Sequence, residues 1–172
     1  MTTEQYETIF YKMRDKLYRY AMRFVRDAAS AEDVVQDVMF KLWQKREEAD
    51  HIDNLEAWLM VLTRNRALDV LRKDKGDQVS VDEAFGVSDQ NPLADRQMEN
   101  SDLMKQLNSC LEQLPDKQRQ VFHLREIEQM TYEEIAQVTG FNLDDVKVSL
   151  FRARKQIQRL LSKINTFGLY QA

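Results

Sequence analysis

Lys147, Arg152, Lys155, Arg159 and Lys163 recur at helical spacing near the end of the chain, and no acidic residue follows Asp145. Cations on one side of a helix neutralise phosphates, and an Arg can also meet a guanine edge through two parallel hydrogen bonds. Val148 and Phe151 fall inside the same basic arc. Packing on a domain does not explain apolar residues there, whereas contact with a thymine methyl or the sugar backbone does. The opposite arc, Val146, Leu150, Ala153, Ile157, Leu160 and Leu161, is apolar throughout. The competing reading is an ordinary amphipathic helix with a solvated basic face.

The residues ahead of this helix argue for the nucleic-acid reading. Thr131 is placed to cap a short helix whose apolar positions are Ile135, Ala136 and Val138. Thr139-Gly140-Phe141-Asn142 then breaks the pattern, and Gly140 can take the positive φ of a sharp turn. Asn142 can cap the basic helix, with Asp144 and Asp145 in the first turn where the helix dipole favours negative charge. Helix, tight turn and helix is the arrangement that lays its second helix in the DNA major groove.

Two further helices carry side chains that core packing does not require. Ala31, Val34, Val35, Val38, Met39 and Leu42 form a wide apolar arc, and Asp33, Gln36, Asp37 and Gln44 lie opposite with Phe40 among them. An aromatic ringed by carboxylates and amides fits the core and rim of a protein interface. It also fits a solvated face with one exposed aromatic, and these residues alone leave both open. Further on, Trp58, Asn65, Arg66, Asp69, Arg72 and Lys73 share one side of a helix, with Arg64 and Lys75 nearby. Stacking on Trp and phosphate contact by Arg or Lys suit single-stranded nucleic acid. A core Trp with a basic helix end facing its own dipole is the alternative.

The elements that must position these faces are all helical. The 172-residue chain has only four Gly and two Pro, a balance that predicts an all-α protein. Helices are expected from about Glu4 to Arg26, from Ala31 to about Arg46 with Ser30 as cap, and from Asn54 through Leu71, with a polar loop from Glu47 to Asp53. Residues 76–95 have no sustained period and carry Asp77, Asp82, Glu83, Asp89 and Asp95 with no Lys or Arg. This reads as an acidic linker between two small helical domains, 1–75 and 96–172. Helix is expected again from near Arg96 to Leu114, then from Pro115-Asp116 through about Ile127. The linker resolves a paradox of charge. The net −4 is poor for a DNA binder, but residues 1–75 sum to zero, the linker to −5 and residues 96–172 to +1.

Three blocks, AEDVVQDVMFKLW, NLEAWLMVLTRNRALDVLRKDK and LEQLPDKQRQVFHLREIEQMTYEEIAQVTGFNLDDVKVSLFRARKQI, together resemble an extracytoplasmic-function (ECF) sigma factor of bacterial RNA polymerase. The resemblance spans nearly everything outside the linker. It implies that Asp33, Gln36, Asp37 and Phe40 dock on the clamp helices of the polymerase largest subunit. It implies that Trp58, Asn65, Arg66, Asp69, Arg72 and Lys73 open and hold the minus-ten promoter element, with the loop from Glu48 to Asn54 as pocket for an unstacked base. It implies duplex minus-thirty-five reading by Lys147, Val148, Phe151, Arg152 and Lys155. The family's Thr-Val-basic-Ser-Arg run is altered here, with Asp145 at the Thr and Ser149 at the Arg, which marks where promoter preference departs from relatives. The acidic linker is expected to thread through the polymerase towards the RNA exit path, where its carboxylates could mimic RNA.

Competing classes fare worse. A stand-alone regulator would dimerise on two half-sites and carry an effector domain, whereas a monomer when free is expected here. A di-metal bundle needs Glu-x-x-His pairs, and neither His51 nor His123 completes one. His123 is expected at a helix surface or half-buried. No phosphate-binding Gly loop or nucleophile-base pair occurs, so neither catalysis nor a cofactor or metal is expected. A lone Cys110 fits a reducing cytoplasm, and no apolar run approaches the roughly 20 residues that span a bilayer. An anti-sigma partner covering both domains is compatible with the flexible linker.

Overall fold

The computed structural model describes residues 1–75 and 101–169, all helices and short turns. The expected linker and the expected start of helix near Arg96 lie outside the described residues. The chain divides into two compact units, one N-terminal and one C-terminal.

In the N-terminal unit, helices α1 (Thr3–Val25), α2 (Ala28–Gln44) and α4 (Leu55–Lys75) pack pairwise, and a single helical turn, α3 (Arg46–Ala49), follows α2. Thr2 and Gln5 form a reciprocal capping box at the head of α1. Met13, Leu17, Tyr20, Ala21 and Phe24 then bury one face of that helix. Tyr20 and Phe24 meet edge-to-face, with ring centroids 5.2 Å apart. The apolar arc of α2 is buried as expected, from Ala31 through Leu42.

Three boundaries differ from expectation. The cap of α2 is Asp27, whose carboxylate accepts from the Ser30 N–H at 2.9 Å, and Ser30 lies inside the helix. Both types cap well, but Ala28 and Ala29 are strong helix formers and draw the start forward. The loop expected from Glu47 begins with the α3 turn, which buries Ala49. Helix α4 continues past Leu71 to Lys75 because Arg72, Lys73 and Lys75 favour helix and suit its negative C-terminal end. Asn54 caps α4 as expected, accepting from the Ala57 N–H at 2.9 Å.

The C-terminal unit contains α5 (Ser101–Glu112), α6 (Asp116–Phe122), α7 (Tyr132–Thr139) and α8 (Leu143–Leu169), with α5 and α6 both packed on α8. The helical run reaches Ile127 as expected, but its last five residues are not α-helical. After Phe122 the chain takes a π-helical turn, His123–Ile127, closed by the Glu128 N–H on the His123 carbonyl at 3.1 Å. The extra residue brings the Glu128 carboxylate to 3.2 Å from His123 Nε2, with the two residues 3% and 2% exposed. His123 is therefore buried, contrary to the expectation of a surface or half-buried position. The two side chains lie against each other where neither meets water. Cys110 is also buried, which pushes its thiol above the ordinary range and keeps it protonated.

The Ser30 hydroxyl and the Ser30 N–H both hold the Asp27 carboxyl below its ordinary range. Its folded pKa is depressed, so the stabilisation is present at neutral pH and fades as pH falls through the folded value. Asp27→Ala should cost about 1 kcal/mol in urea denaturation at neutral pH, and Asp27→Asn only a fraction of that. The Ala penalty should shrink as pH falls through and below the ordinary carboxylate range.

Candidate functional site

Asp33, Gln36, Asp37 and Phe40 are all exposed along one face of α2. The buried Val34, Val35 and Val38 fix the rotation of that helix, so Phe40 cannot turn inward and stays 60% exposed. On α4, Ala57, Met60, Thr63, Ala67, Leu68 and Leu71 are buried, which directs Asn65, Asp69, Arg72 and Lys73 to solvent. Arg66 is partly covered, and Trp58 is half-buried, so its ring is neither wholly core nor freely presented.

The two faces meet. Arg66 Nε donates to Asp37 Oδ2 at 2.6 Å, joining a residue assigned by resemblance to polymerase docking with one assigned to promoter DNA. Asp37, Lys41, Asn65, Arg66 and Asp69 line a groove between α2 and α4. Partial exposure limits such a pair to about 1 kcal/mol or less. Sequence reading missed this contact, since residues 29 apart on different helices carry no local signal. Arg72 makes only a loose approach to Asp69, 3.8 Å within the helix. In the loop ahead of α4, Asp50, His51 and Asp53 are exposed and Ile52 is half-buried.

The C-terminal face forms as the sequence leads one to expect. Thr131 Oγ1 accepts from the Glu134 N–H at 3.2 Å, and Glu134 returns to the Thr131 N–H at 2.7 Å. This capping box starts α7. Gly140 takes φ +77°, where a side chain would be strained, and carries the turn. Asn142 Oδ1 accepts from the Asp145 N–H at 2.8 Å and starts α8. Val146, Leu150, Ala153 and Ile157 are buried, leaving Lys147, Val148, Phe151, Arg152 and Lys155 exposed together, with Phe151 at 66%. No described residue forms an ion pair with Lys147, Arg152 or Lys155. Arg154, on the edge of that face, is held by Glu126 at 2.7 Å. Ser149, where relatives are expected to carry Arg, is buried.

Among the described residues, no group of His, Cys, Asp and Glu is arranged to hold a metal ion, and no helix is long and apolar enough to cross a membrane. The two units expose an acidic-aromatic face, a mixed basic-amide face and a basic-apolar helix behind a tight turn.

Sequence comparison gives the class of protein, a sigma factor. Sigma-70 region 2 matches residues 9–76, and Sigma-70, region 4 matches residues 104–157. Similar proteins include the RNA polymerase sigma factor SigV of Bacillus subtilis, 29% identical over 150 residues and 87% of each chain. The ECF sigma factor SigM of the same organism is 24% identical, covering 91% of this chain and 95% of its own. SigK of Mycobacterium tuberculosis is 26% identical over 86% of this chain and 81% of its own. The fold resembles that of the sigma factor RpoE of Bartonella quintana, solved with the anti-sigma factor NepR. That match has a TM-score of 0.70 and 24% identity, and covers 93% of this chain and 98% of that one. CnrH, solved with the cytosolic domain of CnrY, matches with a TM-score of 0.64 and 22% identity, over 94% of this chain and 90% of its own. The chain belongs to the ECF sigma factors and directs promoter-specific transcription by RNA polymerase.

The geometry separates residues that hold α8 from residues that face outward. Phe151→Ala should change stability by no more than about 0.5 kcal/mol. Leu150→Ala, one residue away and buried, should cost about 2–5 kcal/mol. Thermal or urea unfolding of the two variants checks this, and equal losses would mean that Phe151 is a core residue.

Proposed function

We propose that three outward helix faces divide the work of promoter recognition. Asp33, Gln36, Asp37 and Phe40 on α2 dock the core polymerase, with the Phe40 ring as anchor and the carboxylates pairing with polymerase cations. Asn65, Arg66, Asp69, Arg72 and Lys73 on α4, with Trp58 beside them, hold the opened minus-ten strand. Lys147, Val148, Phe151, Arg152 and Lys155 on α8 read the minus-thirty-five duplex. In domain terms, residues 1–75 serve docking and melting, 76–95 form an acidic tether, and 96–172 grip the upstream element. The exposure of Phe40, Val148 and Phe151 carries this reading, since each sits among charged residues where folding gives no reason for an apolar side chain.

The Asp37–Arg66 pair supports a coupling between the first two faces. A polymerase cation that takes Asp37 leaves Arg66 for a DNA phosphate. The chain acts as a specificity subunit without catalytic groups of its own, in the cytoplasm where the polymerase works. The anti-sigma partner of RpoE favours a similar partner here.

Arg152→Ala should weaken holoenzyme binding to a minus-thirty-five duplex by about 1–3 kcal/mol. It should leave affinity for core polymerase unchanged. Phe40→Ala should do the reverse, lowering core affinity by about 2 kcal/mol or more. Fluorescence anisotropy with labelled duplex, and with labelled protein titrated by core, reads both. Loss of core binding in the Arg152 variant would overturn the assignment of faces.

A further inference from the structure

One acidic residue stands on the duplex-reading helix where its charge should be unwelcome. Asp145 lies one turn before Val148 and two turns before Arg152, so the three share a stripe of α8. Its backbone is fixed by the Asn142 cap at 2.8 Å, in the first turn, the part of a recognition helix that reaches base edges. A bare carboxylate there would repel the phosphates lining the groove. It is not bare. Lys117 of α6 places Nζ 2.7 Å from Asp145 Oδ2, and the same ammonium sits 4.7 Å from the centre of the Phe141 ring. The two contacts hold Lys117 by charge and by the ring.

The pair leaves much of the carboxylate available, since the Asp145 side chain remains 47% exposed. A carboxylate offers only acceptors, and the major-groove edge that offers a matching donor without an adjacent acceptor is the cytosine amino group. Asp144, its neighbour in the first turn, is exposed and no described residue forms an ion pair with it, so it is not oriented in this way. We propose that Asp145 selects a cytosine in the minus-thirty-five duplex, with Lys117 as the residue that positions and neutralises its carboxylate. This rests on the assignment of α8 to the duplex. Where relatives are expected to place a Thr hydroxyl, which meets any base or a phosphate, this chain gains preference at one position.

The test uses holoenzyme made from the full chain and core polymerase, selecting from promoter fragments randomised through the minus-thirty-five region. The parent protein should enrich cytosine at one position, by about ten-fold over the other bases. Asp145→Ala should reduce that enrichment to less than about two-fold and leave the remaining positions as they were. Asp145→Asn, which keeps the cap and shape of the first turn, should move the preference from cytosine towards adenine. Asp144→Asn removes the same charge without the paired geometry and should leave cytosine enriched. Lys117→Gln should lower recovery of all fragments and weaken the cytosine preference together. An Asp145→Ala protein that recovers every sequence less well, with an unaltered base profile, would overturn the proposal and reduce the pair to a clamp between α6 and α8. A parent holoenzyme that enriches no sequence in that region would instead refute the placing of α8 on the duplex.

Discussion

Burial of one stripe on each helix is the constraint on which every proposed contact depends. On α8 the stripe is Val146, Leu150, Ala153 and Ile157, and on α2 it runs from Ala31 to Leu42. Once these residues leave water, each helix has no freedom to rotate about its axis, because rotation would expose several large apolar side chains at roughly 1.5–3 kcal/mol each. The opposite stripe is then presented by default. Phe40 and Phe151 stay in solvent without any local device to hold them there. Their exposure is unfavourable in the free protein, and the proposed contacts with polymerase and DNA would relieve it.

Charge organises the same surfaces at finer scale. The chain as a whole is acidic, yet cations gather on α8 beyond Asp145, and the five carboxylates of residues 76–95 account for more than the whole net charge. On the proposed contact faces two acids are met by a cation from another helix, Asp145 by Lys117 and Asp37 by Arg66. Both pairs are partly exposed and hold weakly, so polymerase or DNA can compete for either partner at small cost. Deeper in the C-terminal unit, His123 and Glu128 are shut away from water and belong to the framework.

Much of this was legible in the sequence because it is local. Caps by Asn54, Thr131 and Asn142, and the turn at Gly140, follow from side chains that reach backbone three residues away. The faces of α2 and α8 followed from spacing alone. What stayed hidden was decided between helices or between near-equal local choices. Asp27 and Ser30 both cap well, and the two alanines between them set the outcome. The π turn at His123, which sets Glu128 beside it in the interior, is announced by no helical period. The contacts of Arg66 with Asp37 and of Lys117 with Asp145 join residues 29 and 28 positions apart, which only the packed helices bring together.

The account is tested most directly by run-off transcription from a library of genomic fragments, with purified core polymerase alone and with this protein added. It predicts new transcripts with discrete start sites that appear only with the protein and share spaced upstream elements. Core polymerase that gives the same transcripts with and without the protein would contradict it.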